Sequence, residues 1–70
     1  MVVIVPKGHR CSVLKNNSFN EFLFNSMIFV EDAKVPIVGR REDKGYWLGM
    51  YNGFTVVFTD KEMKELEQEL

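Results

Sequence analysis

The 70-residue chain is short of most things that staple or equip a small domain. It has a single cysteine, Cys11, which excludes an intrachain disulfide. It has a single histidine, His9, and one Cys with one His does not complete a tetrahedral metal site. Neither a metal nor a cofactor is therefore expected. The two prolines, Pro6 and Pro36, stand apart, and no Pro-, Gly- or Ser-rich tract reads as a linker, so a single domain over residues 1–70 is expected. No apolar run approaches the roughly 18 residues of a membrane span. Val2–Val5 stops at Pro6 and is too short for the core of a secretory signal. The resulting expectation is a soluble cytoplasmic protein with no membrane partner. Charge of one sign is also lacking, because the net charge is −1. Binding by phosphate neutralisation shows itself as a basic face, so nucleic acid is disfavoured as a partner. No nucleophile, base and orienting group stand in a recognisable arrangement, so no enzyme is expected.

What the chain does have is apolar and aromatic bulk, at 46% and 13% of its residues. A domain of this length buries only about 60% of the surface its unfolded chain exposes. A dense aromatic core or self-association must make up the difference. The clearest local signal is Asn52-Gly53 between two apolar runs, the signature of a two-residue type I′ hairpin turn. Such a turn fixes the register. Tyr51 faces Phe54, Gly49 faces Val56 and Trp47 faces Phe58 on one side of the ribbon, the core side. Met50 meets Thr55, Leu48 meets Val57 and Tyr46 meets Thr59 on the other. Gly49 opposite Val56 marks a bend, a bulge or close packing.

The segment after the hairpin begins a helix. Thr59-Asp60-Lys61-Glu62 has the form of a capping box, and Phe58 and Met63 are spaced as a hydrophobic staple. Met63, Leu66 and Leu70 give the helix a narrow apolar stripe. Upstream, strands are expected over about 2–5, 9–14, 27–31, 35–40, 45–51 and 54–59, with the helix over about 60–69. In the second of these, Cys11 and Val13 share one face and Arg10, Ser12 and Leu14 the other. Pro36 cannot donate to a ladder, which places its strand on an edge or starts it later. Residues 18–25 are ambiguous. Ser18-Phe19-Asn20-Glu21 resembles a capping box, and Phe19, Phe22, Leu23 and Met27 have helical spacing, which favours a short helical turn or irregular loop over a strand at 21–25.

Short strands, tight turns and no βαβ pattern point to an antiparallel sheet curled into a small barrel. Val5-Pro6-Lys7-Gly8-His9-Arg10-Cys11-Ser12-Val13-Leu14, an apolar strand, a Pro-Lys-Gly turn and a second strand, resembles the opening of small SH3-like barrels. The closing Phe58-Thr59-Asp60-Lys61-Glu62 is similar to the same group, many of whose members are encoded by tailed bacteriophages. The resemblance implies a mainly β fold, an SH3-like antiparallel barrel of five or six strands with a C-terminal helix, or α+β if residues 18–25 are helical. It also implies a small viral accessory or inhibitor protein that acts on a host or defence protein in the host cytoplasm. The acidic loop and aromatic groove of SH3 domains that bind Pro-rich peptides do not map onto this chain.

The candidate contact surface combines Arg40 and Arg41, in the charged loop between Gly39 and Gly45, with Tyr46, Leu48 and Met50 on the less apolar face of the ribbon. Arg forks suit carboxylate and phosphate recognition. The competing reading is a solvated loop in which Glu42 and Asp43 neutralise the arginines. The leading expectation is a non-catalytic binding protein acting by protein–protein contact, with a host protein as partner and homo-oligomerisation as a further expectation. One alternative is a binder of a small anion, such as a nucleotide or nucleotide signal, held by Lys7, His9, Arg10, Arg40 and Arg41 at a subunit interface. Another is a weak nucleic-acid-binding barrel. Cys11, in a strand, reads as a small apolar residue. Residues 60–70 hold five carboxylates against Lys61 and Lys64, and this acidic face reads as solvated.

Overall fold

Among the described residues, seven antiparallel strands and one short helix follow in the order β1 (Val2–Val5), β2 (Arg10–Asn16), β3 (Glu21–Ile28), β4 (Ala33–Arg41), β5 (Tyr46–Tyr51), β6 (Phe54–Thr59), α1 (Asp60–Glu65) and β7 (Glu67–Glu69). The computed structural model describes residues 1–16 and 21–70, and side chains outside 15–16 and 21–25. The strands lie side by side as β3-β2-β6-β5-β4-β1-β7. The protein is thus mainly β, as the short strands and tight turns require.

The hairpin adopts the expected register, from Tyr46 opposite Thr59 to Tyr51 opposite Phe54. Asn52 (φ 49°) and Gly53 (φ 80°) both take the left-handed conformation that a type I′ turn needs. Gly49 is the site of close packing. A Cβ there would lie 2.6 Å from Val35 Cγ1 and 3.3 Å from both Phe58 Cε2 and the Pro36 carbonyl. Val35 of β4 sits against the hydrogen that takes the place of a side chain.

β4 organises the sheet. Its first half pairs with β1 (Val2 opposite Pro36 through Val5 opposite Ala33). Its second half pairs with β5 (Ile37 opposite Gly49, Arg40 opposite Trp47, Arg41 opposite Tyr46). The register shifts between Ile37 and Gly39, so Val38 bulges out and is exposed. Bulges bend a strand and increase its twist. Here the bend lets β1 fold over β6, so that Val3, Val5, Cys11, Phe29, Val35, Val56, Phe58 and Met63 form one buried cluster. A second shift in β2–β3 pairs Val13 with Asn25 but Leu14 with Leu23, leaving Phe24 as the extra residue.

Pro36 sits inside β4, where an edge or a later start is expected. Ile37 N–H donates to Met1 O, so by alternation Pro36 turns its nitrogen away from β1, just beyond the end of the β4–β5 ladder. Its missing donor therefore breaks no bond. Residues 21–25 also depart from the favoured helical or irregular reading. They belong to β3, because pairing with Arg10–Asn16 satisfies more backbone than one isolated turn would. The suggested cap at 18–20 lies outside the described residues. β3 ends at Ile28, where a strand over 27–31 is expected.

The capping box at Thr59 forms as read: Thr59 Oγ1 accepts from Glu62 N–H, and Thr59 N–H donates to Glu62 Oε1. Phe58 and Met63, the staple pair, are both buried. The helix stops at Glu65, short of residue 69, and Leu66 is extended. Glu65, Glu67 and Glu69 would all crowd the negative end of a longer helix. Extended, 67–69 pair with β1 instead, and Leu70, expected on the helix stripe, is exposed. β7 thereby occupies the edge of β1 that a closed barrel would need. Among the described residues no ladder joins β3 to β7, and the sheet stays open. No described helix is long and apolar enough to cross a membrane.

Candidate binding surface beside the helix

Strand alternation separates the two arginines. Arg40 lies opposite Trp47 and Arg41 opposite Tyr46, so the pairs occupy opposite faces of the sheet. On the Arg40 face, α1 supplies the anchor. Asp60 is the first helical residue, and its N–H donates to Gly45 O at 3.1 Å, which ties the helix start to the β4–β5 loop. Its Oδ1 then accepts from Trp47 Nε1 at 2.8 Å and lies 3.7 Å from Arg40 Nη2. Arg40 Nη1 is 3.5 Å from Glu42 Oε1, and the guanidinium carbon stands 4.4 Å over the Trp47 ring. Stacking on Trp47, with two carboxylates nearby, favours this placement of a long side chain. Arg40, Trp47, Asp60, Met63, Lys64 and Gln68 line an open cleft of about 330 Å³.

The other face differs from the expected exposed patch. Leu48 is only 8% accessible. It packs with Leu14 and Val57, with Tyr46 against them, as a second small apolar cluster. The cause is β2 and β6 running alongside: Leu14 and Val57 project to the side of the sheet that Leu48 occupies. Only Met50 stays open at 38%, with its sulfur 3.5 Å from Thr55 Oγ1.

The five residues of the anion reading are not gathered on one surface. Lys7 lies in the β1–β2 turn, where its N–H donates to Asp32 Oδ1 at 2.8 Å. Arg10 points to the face opposite Cys11 and donates to Ser26 Oγ at 3.3 Å. His9 Nε2 lies 2.7 Å from Glu62 Oε2, with its ring 6.5 Å from that of Phe29 and 6.2 Å from that of Phe58. His9 and Arg40 thus reach the first turn of α1, and each ends on a carboxylate. The same Glu62 that closes the capping box also fastens β2 to the helix. Behind it, burial first and the charge of Glu62 second push the Cys11 thiol up to about 11. A thiol held protonated at neutral pH is a poor nucleophile.

Trp47 is half-buried, packed on the core by one edge and open to the cleft by another, which a purely core assignment misses. The hairpin register places it on the core side. Its pairing with Arg40 depends on the Val38 bulge, for which the sequence carries no turn-type signal. Among the described residues, no group of three or more His, Cys, Asp or Glu side chains is placed to hold a metal ion. No family model, curated protein or solved structure matches the chain.

Proposed function

We propose that the protein is a non-catalytic binding protein that works by protein–protein contact, with the cleft between Arg40, Trp47 and α1 as its contact surface. One observation carries this reading: an arginine held 4.4 Å over the lone tryptophan of the chain, at the mouth of a cleft floored by Met63. Trp, Arg and Met are enriched where protein interfaces form, and Trp and Arg dominate their hot spots. Because Arg40 already stacks on Trp47, it loses less side-chain entropy on docking than an unstacked arginine would. Of the residues first singled out, Arg40 belongs to this surface, whereas Arg41, Tyr46, Leu48 and Met50 lie on the opposite face. The narrower form of the reading, a phage-type inhibitor acting on a host protein, is supported by the resemblance of Val5–Leu14 and Phe58–Glu62 to small SH3-like proteins. A small anion as ligand is the weaker reading, since His9 and Arg40 each already hold a carboxylate.

The test compares tagged wild-type protein with Arg40→Ala and Arg41→Ala in capture from host extract, with folding checked by circular dichroism. A partner retained by wild type and Arg41→Ala but lost from Arg40→Ala, and insensitive to salt, is the expected result. Equal capture by a folded Arg40→Ala variant overturns the assignment. An absorbance ratio showing co-purified nucleotide favours the anion reading instead.

A further inference from the structure

β7 is the least secured strand of the sheet. Its three residues are all exposed. Beyond its ladder with β1, the ion pair it makes among the described residues is Lys34 Nζ to Glu69 Oε1 at 3.5 Å, with side chains 70% and 51% accessible. Pairs that open to water contribute about 0–1 kcal/mol. The Gln68 side-chain amide also donates to the Met63 carbonyl. β1 beneath is the opposite case, β-branched throughout, with Val3 and Val5 fully buried. Because Ile37 N–H bonds Met1 O, alternation turns the backbone groups of Val3 and Val5 toward β4 and those of Val2 and Ile4 toward β7. Lifting β7 therefore bares a row of backbone donors and acceptors backed by a rigid, buried strand, the arrangement to which an added strand binds.

The chemistry on either side of β7 indicates what would replace it. Gln68, opposite Val3, places a polar amide in the cleft lined by Trp47 and Met63, where an apolar side chain would bury more surface. Glu67, opposite Ile4, lies in a second groove of about 290 Å³, with Ile4, Pro6 and Leu66 as apolar wall and Asp32 and Glu65 as further carboxylates. Three like charges around one apolar groove repel one another, and a cation in the place of Glu67 would meet Asp32 and Glu65 with the favourable sign.

We propose that β7 is a displaceable strap over a strand-addition site on β1, and that its replacement is an extended segment of a partner protein with an apolar residue next to a Lys or Arg. The apolar residue takes the Gln68 position and the cation takes the Glu67 position. The Gln68 position opens into the Arg40–Trp47 cleft, so the two sites share that wall, but β7 is held by β1, Lys34 and Met63 and not by Arg40, and exchange at Ile4 reads the strap independently of Arg40.

Hydrogen exchange at single amides of the intact protein reads the strap directly. The Ile4 amide is expected to exchange at least about tenfold faster than those of Val3 and Val5, because strap opening costs less than global unfolding. Binding is read by titrating the peptide acetyl-Thr-Lys-Val-Lys-Thr-amide into the intact protein and into full-length Glu67→Pro, which loses the ladder donor at that residue. Amide shifts confined to β1, β7, Asp32, Trp47, Met63 and Leu66, with tighter binding to Glu67→Pro, are expected. Ile4 protected as strongly as Val3 and Val5 overturns the strap. Absence of shifts at β1 in both proteins overturns the strand-addition site. If Glu67→Pro does not fold, the titration of the intact protein decides alone, by the presence or absence of those shifts.

Discussion

Replacing Gly49 by alanine tests the packing of β4 on β5 at its tightest point. The new Cβ would stand 2.6 Å from Val35 Cγ1 and 3.3 Å from Phe58 Cε2. Both neighbours are fully buried, and the third contact, at 3.3 Å, is the Pro36 backbone carbonyl. None of the three has room to step aside, so Val35 must leave its rotamer or β4 must lift from β5. Overpacking of this kind costs about 1–3 kcal/mol. For a domain of this size each kcal/mol lowers Tm by roughly 4–8 °C. Gly39→Ala is the internal control, because its Cβ would meet only Leu48 Cδ1, at an ordinary 3.7 Å. That change is expected to stay within about 0.5 kcal/mol. Val35→Ala alone removes two buried methyl groups and costs about 2 kcal/mol. It also removes the clashing atom, so the Gly49→Ala, Val35→Ala double variant should be more stable than the sum of the singles by at least about 1 kcal/mol. Urea unfolding followed by circular dichroism measures all four proteins. A Gly49→Ala variant as stable as Gly39→Ala, or strict additivity in the double variant, would refute the contact and with it the β4–β5 register.

Three other consequences can be measured on the same preparations. Asp60→Ala removes the 2.8 Å bond from Trp47 Nε1 and one partner of Arg40, so a loss of about 1–2 kcal/mol is expected, together with a shift in the emission of the single tryptophan; emission identical to wild type contradicts it. Thr59→Ala removes the acceptor for Glu62 N–H and should cost about 1 kcal/mol, read as a lower urea midpoint. The Cys11 thiol has its folded pKa raised from 9.0 to about 11, so its contribution to stability is full below pH 9 and is lost as the pH climbs through about 11. The stability difference between wild type and Cys11→Ala should therefore shrink over that window, and alkylation at pH 8 should wait on unfolding. A native thiol that reacts at the rate of free cysteine removes the argument.

Where local chemistry decides, the sequence was readable. Asn52-Gly53 permits one tight turn, and that turn determines every pair of the β5–β6 ribbon. Thr59 with Glu62 and Phe58 with Met63 likewise specify where the helix begins. Where it ends is a tertiary matter, since Leu66 turns extended because β1 offers an open edge to 67–69. The same holds for β3, whose Phe22 and Leu23 carry a helical spacing that pairing with β2 overrides. Arg40 was identifiable as a candidate, but its partners were not. The Val38 bulge sets which of two adjacent arginines meets the tryptophan, and a shift of one residue would have exchanged them. Leu48 was misplaced for a related reason: alternation shows which face it is on, not that Leu14 and Val57 cover that face.

Everything above depends on β4 serving two neighbours, β1 through its first half and β5 through its second, with the bulge at Val38 between them. Cross-strand nuclear Overhauser contacts in the uniformly labelled protein measure this directly. Contacts Val2–Pro36 and Ile4–Lys34 on one side, and Ile37–Gly49 and Arg40–Trp47 on the other, are predicted together in one molecule. A spectrum in which Trp47 contacts Arg41 rather than Arg40, or in which β4 pairs along its whole length with a single strand, would contradict the account.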